Sequence, residues 1–208
     1  MNIRSMILWC GLLLLTGCAT APPYTELPAG PVTVGSLRFD VDSGWNAAGP
    51  KVLFVTNGTF RVQEGGPYWT RDGQVLDEII VYPDIRDGET LEKKAPKQAA
   101  YPVFRASMLP NEVVELVEST LTKNFGEGAV LVTSSGLRPQ NFGAQKGFAF
   151  DLALSASNGP DYRGLAGGFV ADGKLQLAVY LAAVPYYFEL HKDSAARVIA
   201  SARLATNP

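Results

Sequence analysis

The sequence predicts an α+β fold, one antiparallel sheet flanked by helices, in a single domain behind a removable N-terminal signal. Three observations carry that prediction. The second half of the chain is a run of apolar segments of strand length, punctuated by Asn-Gly and Asp-Gly pairs. Two other stretches, Pro110 to Phe125 and Tyr186 to Ala202, repeat their apolar residues every three or four positions, the period of a helix with one buried face. The strand-like segments also lie too close together for parallel pairing, which needs a crossover of a dozen residues or more, so neighbours must be antiparallel.

Met1 to Gly17 has the layout of a secretory signal: Asn2 and Arg4, an uncharged apolar run from Met6 to Leu15, then small residues before Cys18. A membrane span needs about 20 apolar residues, and this run stops well short of that. Leu15-Thr16-Gly17-Cys18 resembles the lipobox of bacterial lipoproteins. That resemblance implies cleavage after Gly17, a diacylglycerol thioether on Cys18 and acylation of its new amine. An ordinary secretory signal, with Cys18 incidental, is the other reading. Ala19 follows the cysteine, where an aspartate would favour the inner membrane; in a diderm host the resemblance therefore implies the periplasmic face of the outer membrane. Residues 18–31 carry Pro22, Pro23, Pro28 and Pro31 without a hydrophobic period and read as the lipidated cysteine and a tether, leaving 32–208 as the domain.

Removing 17 residues leaves 191, enough for one domain to bury a core without staples. Cys10 leaves with the signal and Cys18 is the anchor, so no disulfide is expected although the compartment permits one. Without Arg4 the side chains carry 17 Lys and Arg against 20 Asp and Glu, a net of −3. The basic residues are scattered, with Lys93-Lys94 and Lys97 the nearest approach to a run, and this argues against a nucleic-acid partner. The expected partners are the membrane, through the lipid on Cys18, and an envelope protein.

Within the domain, Val32, Val34, Leu37, Phe39 and Val41 alternate with a slip at Gly35-Ser36, which predicts a strand pair or a bulged strand. Lys51 to Thr56 and Phe60 to Val62 flank Asn57-Gly58, a type I′ hairpin signal; Asn57-Gly58-Thr59 also matches a glycosylation sequon, read here as chance. Tyr68-Trp69 leads into a tight turn, Val75 to Tyr82 returns as a strand, and Glu92 to Met108, with Pro96 and Pro102, crosses the surface as a long loop.

Pro110 suits a first helical turn, Glu112 and Glu115 suit the positive end of the dipole, and Gly126 suits the stop. Val113, Leu116, Val117, Leu121 and Phe125 form its apolar stripe. Strands follow at Ala129 to Ser134, in a short piece near Phe142, and at Gly147 to Ser155, Tyr162 to Ala171 and Lys174 to Val184. Pro185 ends the last, and a helical tail follows, continuous or broken near Asp193-Ser194. Leu190, Val198 and Ile199, with Tyr187 or Phe188, are expected to face the sheet.

The chain holds one histidine, His191, expected on the exposed side of the last helix, and no Gly-x-Ser-x-Gly elbow, so a Ser/His/Asp triad is not expected. Zinc would need several His or Cys ligands. Asp84, Asp87 and Glu89 lack the spacing of a calcium loop and read as a solvated turn. No catalytic residue, metal or cofactor is assigned. The aromatic residues read first as core and second as an apolar ligand or partner surface built on Trp45, Tyr68, Trp69 and Tyr186. A carboxylate hydrolase using Asp72, Asp84 and Asp87 is the remaining rival.

Phe39 to Trp45, Trp69-Thr70-Arg71-Asp72-Gly73, and Tyr187-Phe188 through Ile199 to Leu204 give an order of elements that resembles small bacterial lipoproteins and, more distantly, the PsbP/Mog1-like fold. That resemblance implies helices on both sides of an antiparallel sheet and an accessory or binding role. It carries over no functional residue. The expectation is a membrane-anchored, non-catalytic envelope interaction module, with a carrier of a lipid or other apolar ligand as the alternative.

Overall fold

A computed structural model describes residues 24–48, 51–55, 59–63, 68–92 and 100–205. In chain order the elements are β1 (Thr25–Glu26), β2 (Gly30–Val34), β3 (Leu37–Val41), β4 (Asn46–Ala48), β5 (Lys51–Val55), β6 (Thr59–Gln63), β7 (Tyr68–Thr70) and β8 (Asp77–Ile85). Then come α1 (Pro110–Phe125), β9 (Val130–Phe142), β10 (Gln145–Ala156), β11 (Tyr162–Ala171), β12 (Lys174–Ala183), α2 (Tyr186–Ala200) and β13 (Arg203–Leu204). An eight-stranded sheet runs β1-β4-β7-β8-β12-β11-β10-β9 and is antiparallel at every pairing, as the short connections require. β13-β3-β2 and β5-β6 form two smaller antiparallel sheets.

The large sheet separates two apolar layers. Ile80 and Tyr82 of β8 and Leu177, Val179 and Leu181 of β12 join the layer under α1. Their neighbours Ile79, Val81, Ala178, Tyr180 and Ala182 join the layer under α2 and the small sheet. Successive strand residues point to opposite faces, so a central strand covered on both sides reads as an unbroken apolar run.

Helix α1 forms where its stripe predicts. Val113, Leu116, Val117 and Leu121 are buried, and Glu112 Oε2 accepts the Leu109 N–H at 2.6 Å, satisfying a donor at the helix start. The Asp172-Gly173 turn between β11 and β12 has φ of +50° and +70°, the two positive angles of a type I′ hairpin.

Several boundaries differ from expectation. The domain starts before Val32: Thr25 pairs with Ala47, and the Leu27 N–H donates to the Trp45 carbonyl at 2.8 Å, so the expected tether is bound to the domain from Thr25 onward. Pro31 is tolerated because β2 lies at the edge of its sheet. Of the two readings of the slip at Gly35-Ser36, the strand pair holds: the slip is the turn of a β2-β3 hairpin. Strand β8 starts at Asp77, two residues later than expected, because Leu76 and Asp77 donate back to the Gly73 carbonyl and close a turn.

The two pieces expected around Ser134 and Phe142 are one strand of 13 residues, β9. Gly136-Leu137 is a bulge within it: Ser135 pairs with Asp151 and Arg138 with Ala149, so two residues of β9 face one of β10, and Gly136 has φ +62°. Helix α2 runs unbroken through Asp193-Ser194. Leu190 is 54% exposed, not turned to the sheet, because two steps of about 100° carry it to the side away from buried Phe188. The Asn57-Gly58 turn and Lys93-Lys94-Lys97 lie outside the described residues, as do Gly17 and Cys18. Among the described residues, no helix is long and apolar enough to cross a membrane.

Candidate functional site

Polar side chains converge where the turn before β8 meets α2. The turn is built on Asp77, which is 1% exposed at the start of its strand. Asp77 Oδ1 accepts the Thr70 hydroxyl at 2.9 Å and the Asp72 N–H at 2.8 Å, and its Oδ2 accepts the Arg71 N–H at 3.1 Å. Thr70 Oγ1 in turn accepts the Gly73 N–H at 2.8 Å. Burial raises the Asp77 carboxyl above its ordinary range, against the opposing pull of these donors.

This turn aims consecutive residues at consecutive turns of α2. Asp72 Oδ2 lies 2.6 Å from His191 Nε2. Arg71 donates to Ser194 Oγ at 3.0 Å and to the Ser43 carbonyl at 2.8 Å, and pairs with Asp42 at 3.1 Å. Its Cζ stands 5.0 Å from the centroid of the Trp45 ring, a cation–π distance. Asp42 accepts Trp45 Nε1 at 2.9 Å, Ser194 Oγ at 2.8 Å and Arg197 at 3.2 Å. Partial burial alone would raise the Asp42 carboxyl, but the Ser194 and Trp45 hydrogen bonds and the Arg71 charge lower it overall.

The arrangement holds α2 in place, and its reactive groups are occupied in doing so. Ser194 donates to Asp42 while accepting from Arg71 and Trp45, and the acid beside it is one held ionised. Among the described residues His191 bonds Asp72, and no hydrogen bond joins it to Ser194. His191 is therefore not a free exposed side chain, as its charged neighbours in sequence suggested, but 12% exposed and paired. No group of three or more His, Cys, Asp or Glu side chains able to hold a metal occurs among the described residues.

The three acids weighed as hydrolytic residues take separate partners. Asp84 accepts from Ser36 and Gln176, whereas Asp87 accepts the Ala106 N–H and faces Arg105 at 3.6 Å. No two of Asp72, Asp84 and Asp87 share a hydrogen-bond partner.

The four aromatic residues do not form one surface. Trp45, Trp69 and Tyr68 are 0%, 1% and 3% exposed, and Tyr68 lies in the α1 layer while its neighbour Trp69 lies in the α2 layer. Strand geometry sends adjacent residues of β7 to opposite faces, so the pair belongs to two cores. Tyr186 is 65% exposed. Trp45 packs edge-on to Tyr180 and Phe39 edge-on to Trp69, core contacts in both cases.

Sequence reasoning passed over a second buried polar group, in the α1 layer. Asn124 donates to Glu92 Oε1 at 2.6 Å and accepts the Tyr101 hydroxyl at 2.9 Å. Burial, and then the Glu92 charge, push the Tyr68 and Tyr82 hydroxyls up. Nothing in the irregular segment around Glu92 signals that the carboxylate turns inward.

Comparison with known proteins adds the fold. No family model matches the chain, and no curated protein does. Among solved structures, the solution structure of cyanobacterial PsbP (CyanoP) from Synechocystis sp. PCC 6803 is similar to it with a TM-score of 0.53. The fold is PsbP-like. The likeness covers 94% of this chain and 100% of that one at 12% identity, so it concerns the order and packing of elements alone.

Proposed function

We propose that the chain is a lipid-anchored envelope protein whose PsbP-like domain acts as a non-catalytic interaction or accessory module. The observation that carries this reading is Leu15-Thr16-Gly17-Cys18, which sits six residues ahead of Tyr24, where the described domain begins. The polar residues around α2 support the non-catalytic half, since Asp72 and His191 pair with each other and Asp42, Arg71 and Ser194 bond one another. Acyl chains on Cys18 supply about 0.8 kcal/mol per buried methylene, so the anchor needs no basic patch beside it.

The test is fractionation and intact mass of the wild type against Cys18→Ser. Wild type should partition with membranes at the mass of a chain cut after Gly17 and acylated. The variant should lose both properties. A Cys18→Ser protein with the wild-type processed mass that stays in the membrane fraction would refute the anchor. In-cell crosslinking of the full-length protein tests the accessory role, which predicts reproducible capture of one envelope protein.

A further inference from the structure

We propose that the β1–β4 edge of the large sheet is the surface held against the phospholipid headgroups, with the β9 edge turned away from the bilayer. This rests on the anchored reading above. Six Cα-to-Cα steps separate Cys18 from Tyr24, and at about 3.6 Å per residue they span at most about 22 Å. Tyr24 leads directly into β1, the strand at one edge of the eight-stranded sheet. The opposite edge, β9, lies seven strand spacings away, about 34 Å at about 4.8 Å per spacing.

The reach of the linker is thus shorter than the sheet is wide. A domain resting on its β9 edge would lift Tyr24 some 34 Å above the headgroups, beyond what the linker spans even when fully extended. Orientations that keep β1 low are the ones the chain length permits. The surface presented there suits the polar interface: Tyr24 is 45% exposed, and its ring has the apolar body and hydroxyl tip that the headgroup layer accommodates. Thr25 and Glu26 beside it are exposed. Glu26 and the net charge of −3 on the side chains of 18–208 mean that linker length, and not attraction to anionic lipid, sets the orientation. Turned outward, β9 presents Leu131, 66% exposed, to the aqueous side.

A lipidated Cys18 has no free thiol and Cys10 leaves with the signal, so a single introduced cysteine labels uniquely. Thr25→Cys and Leu131→Cys versions of the full chain, purified from membranes, would be labelled with an environment-sensitive fluorophore and reconstituted into phosphatidylcholine vesicles carrying a headgroup-attached quencher. The expected result is quenching several-fold stronger at position 25 than at 131. Equal quenching, or stronger quenching at 131, would overturn the proposal. Inserting 20 Gly/Ser residues between Pro23 and Tyr24 should bring the two sites toward equality, and an unchanged contrast would overturn the role of linker length. Flotation and mass of the same samples separate the two readings: protein that stays with the vesicles but shows no contrast fails the orientation alone. Protein that does not float and takes a second label at Cys18 fails the anchor, and the orientation with it.

Discussion

His191 Nε2 stands 2.6 Å from Asp72 Oδ2, and one helical turn along, Ser194 Oγ stands 3.0 Å from the Arg71 guanidinium. Two adjacent residues of one turn therefore grip two successive turns of α2. The grips differ in strength, because Asp72 is 37% exposed and screened by water while Arg71 serves several partners and is 21% exposed. His191→Ala is expected to lower unfolding free energy by about 0.5–1 kcal/mol. Arg71→Ala should cost about 2–3 kcal/mol, since it strips charge-assisted bonds from Asp42 and Ser194. Urea denaturation of both variants checks the order, and a larger loss at His191 would contradict it.

Asp77 organises the turn that does the gripping. Asp77→Ala leaves the Thr70 hydroxyl and the Arg71 and Asp72 N–H groups without their acceptor, an expected loss of about 2–4 kcal/mol. Hydrogen exchange at the Arg71 and Asp72 amides should rise in this variant well before the β11-β12 amides change. Unchanged protection at those two amides would mean that other groups hold the turn.

Legibility in the sequence followed how local the deciding physics was. The α1 stripe and the Asp172-Gly173 turn depend on neighbours within a few residues, and both could be read directly. The Asp72–His191 pair joins positions 119 apart, with only the tertiary fold to bring them together. β13 has two residues, too few for any period, and exists because Arg203 and Leu204 pair with Arg38 and Leu37. Ser134-Ser135-Gly136 reads as a break because Gly136 opens a bulge, and turns and bulges use the same residue types. Tyr68 and Trp69 were nameable as aromatic, but which layer each would fill required knowing that both faces of β7 are covered.

Acid should weaken the fold through Asp42 and Asp84. Partial burial opposes ionisation in both, but hydrogen bonds from Ser194 and Trp45 to one, and from Ser36 and Gln176 to the other, hold both carboxyls below their ordinary value. The unfolded chain therefore binds protons first as pH falls. Their stabilisation is present above about pH 4 and is lost as pH drops through the lowered folded values. Asp77 runs the other way: its raised carboxyl takes up a proton in the folded state first, so its contribution grows as pH falls. In urea midpoints taken from pH 7 downward, Asp84→Asn should flatten the acid limb and Asp77→Asn should steepen it. Parallel curves for the two variants would show that neither carboxyl governs the limb.

Close packing between β11, α2 and β12 sets the last expectation. At Gly167 in β11, an added Cβ would meet Ile199 Cγ2 and Phe142 Cζ, each at 2.9 Å, so the missing side chain is what lets α2 settle onto the sheet. At Gly168 the Cβ would meet the Gln176 backbone carbonyl at 2.4 Å, across the β11-β12 ladder. Side-chain ends can shift, whereas a paired strand can yield only by widening its ladder. Gly167→Ala is expected to cost about 1–3 kcal/mol as overpacking, and Gly168→Ala more. If the Gly168 variant fails to fold, the Gly167 variant still tests the packing: restoring space with Ile199→Ala, which removes Cγ2, should make the double variant lose less than the sum of the two single losses in a double-mutant cycle. Strict additivity of the two substitutions would show that residue 167 and α2 do not press on one another.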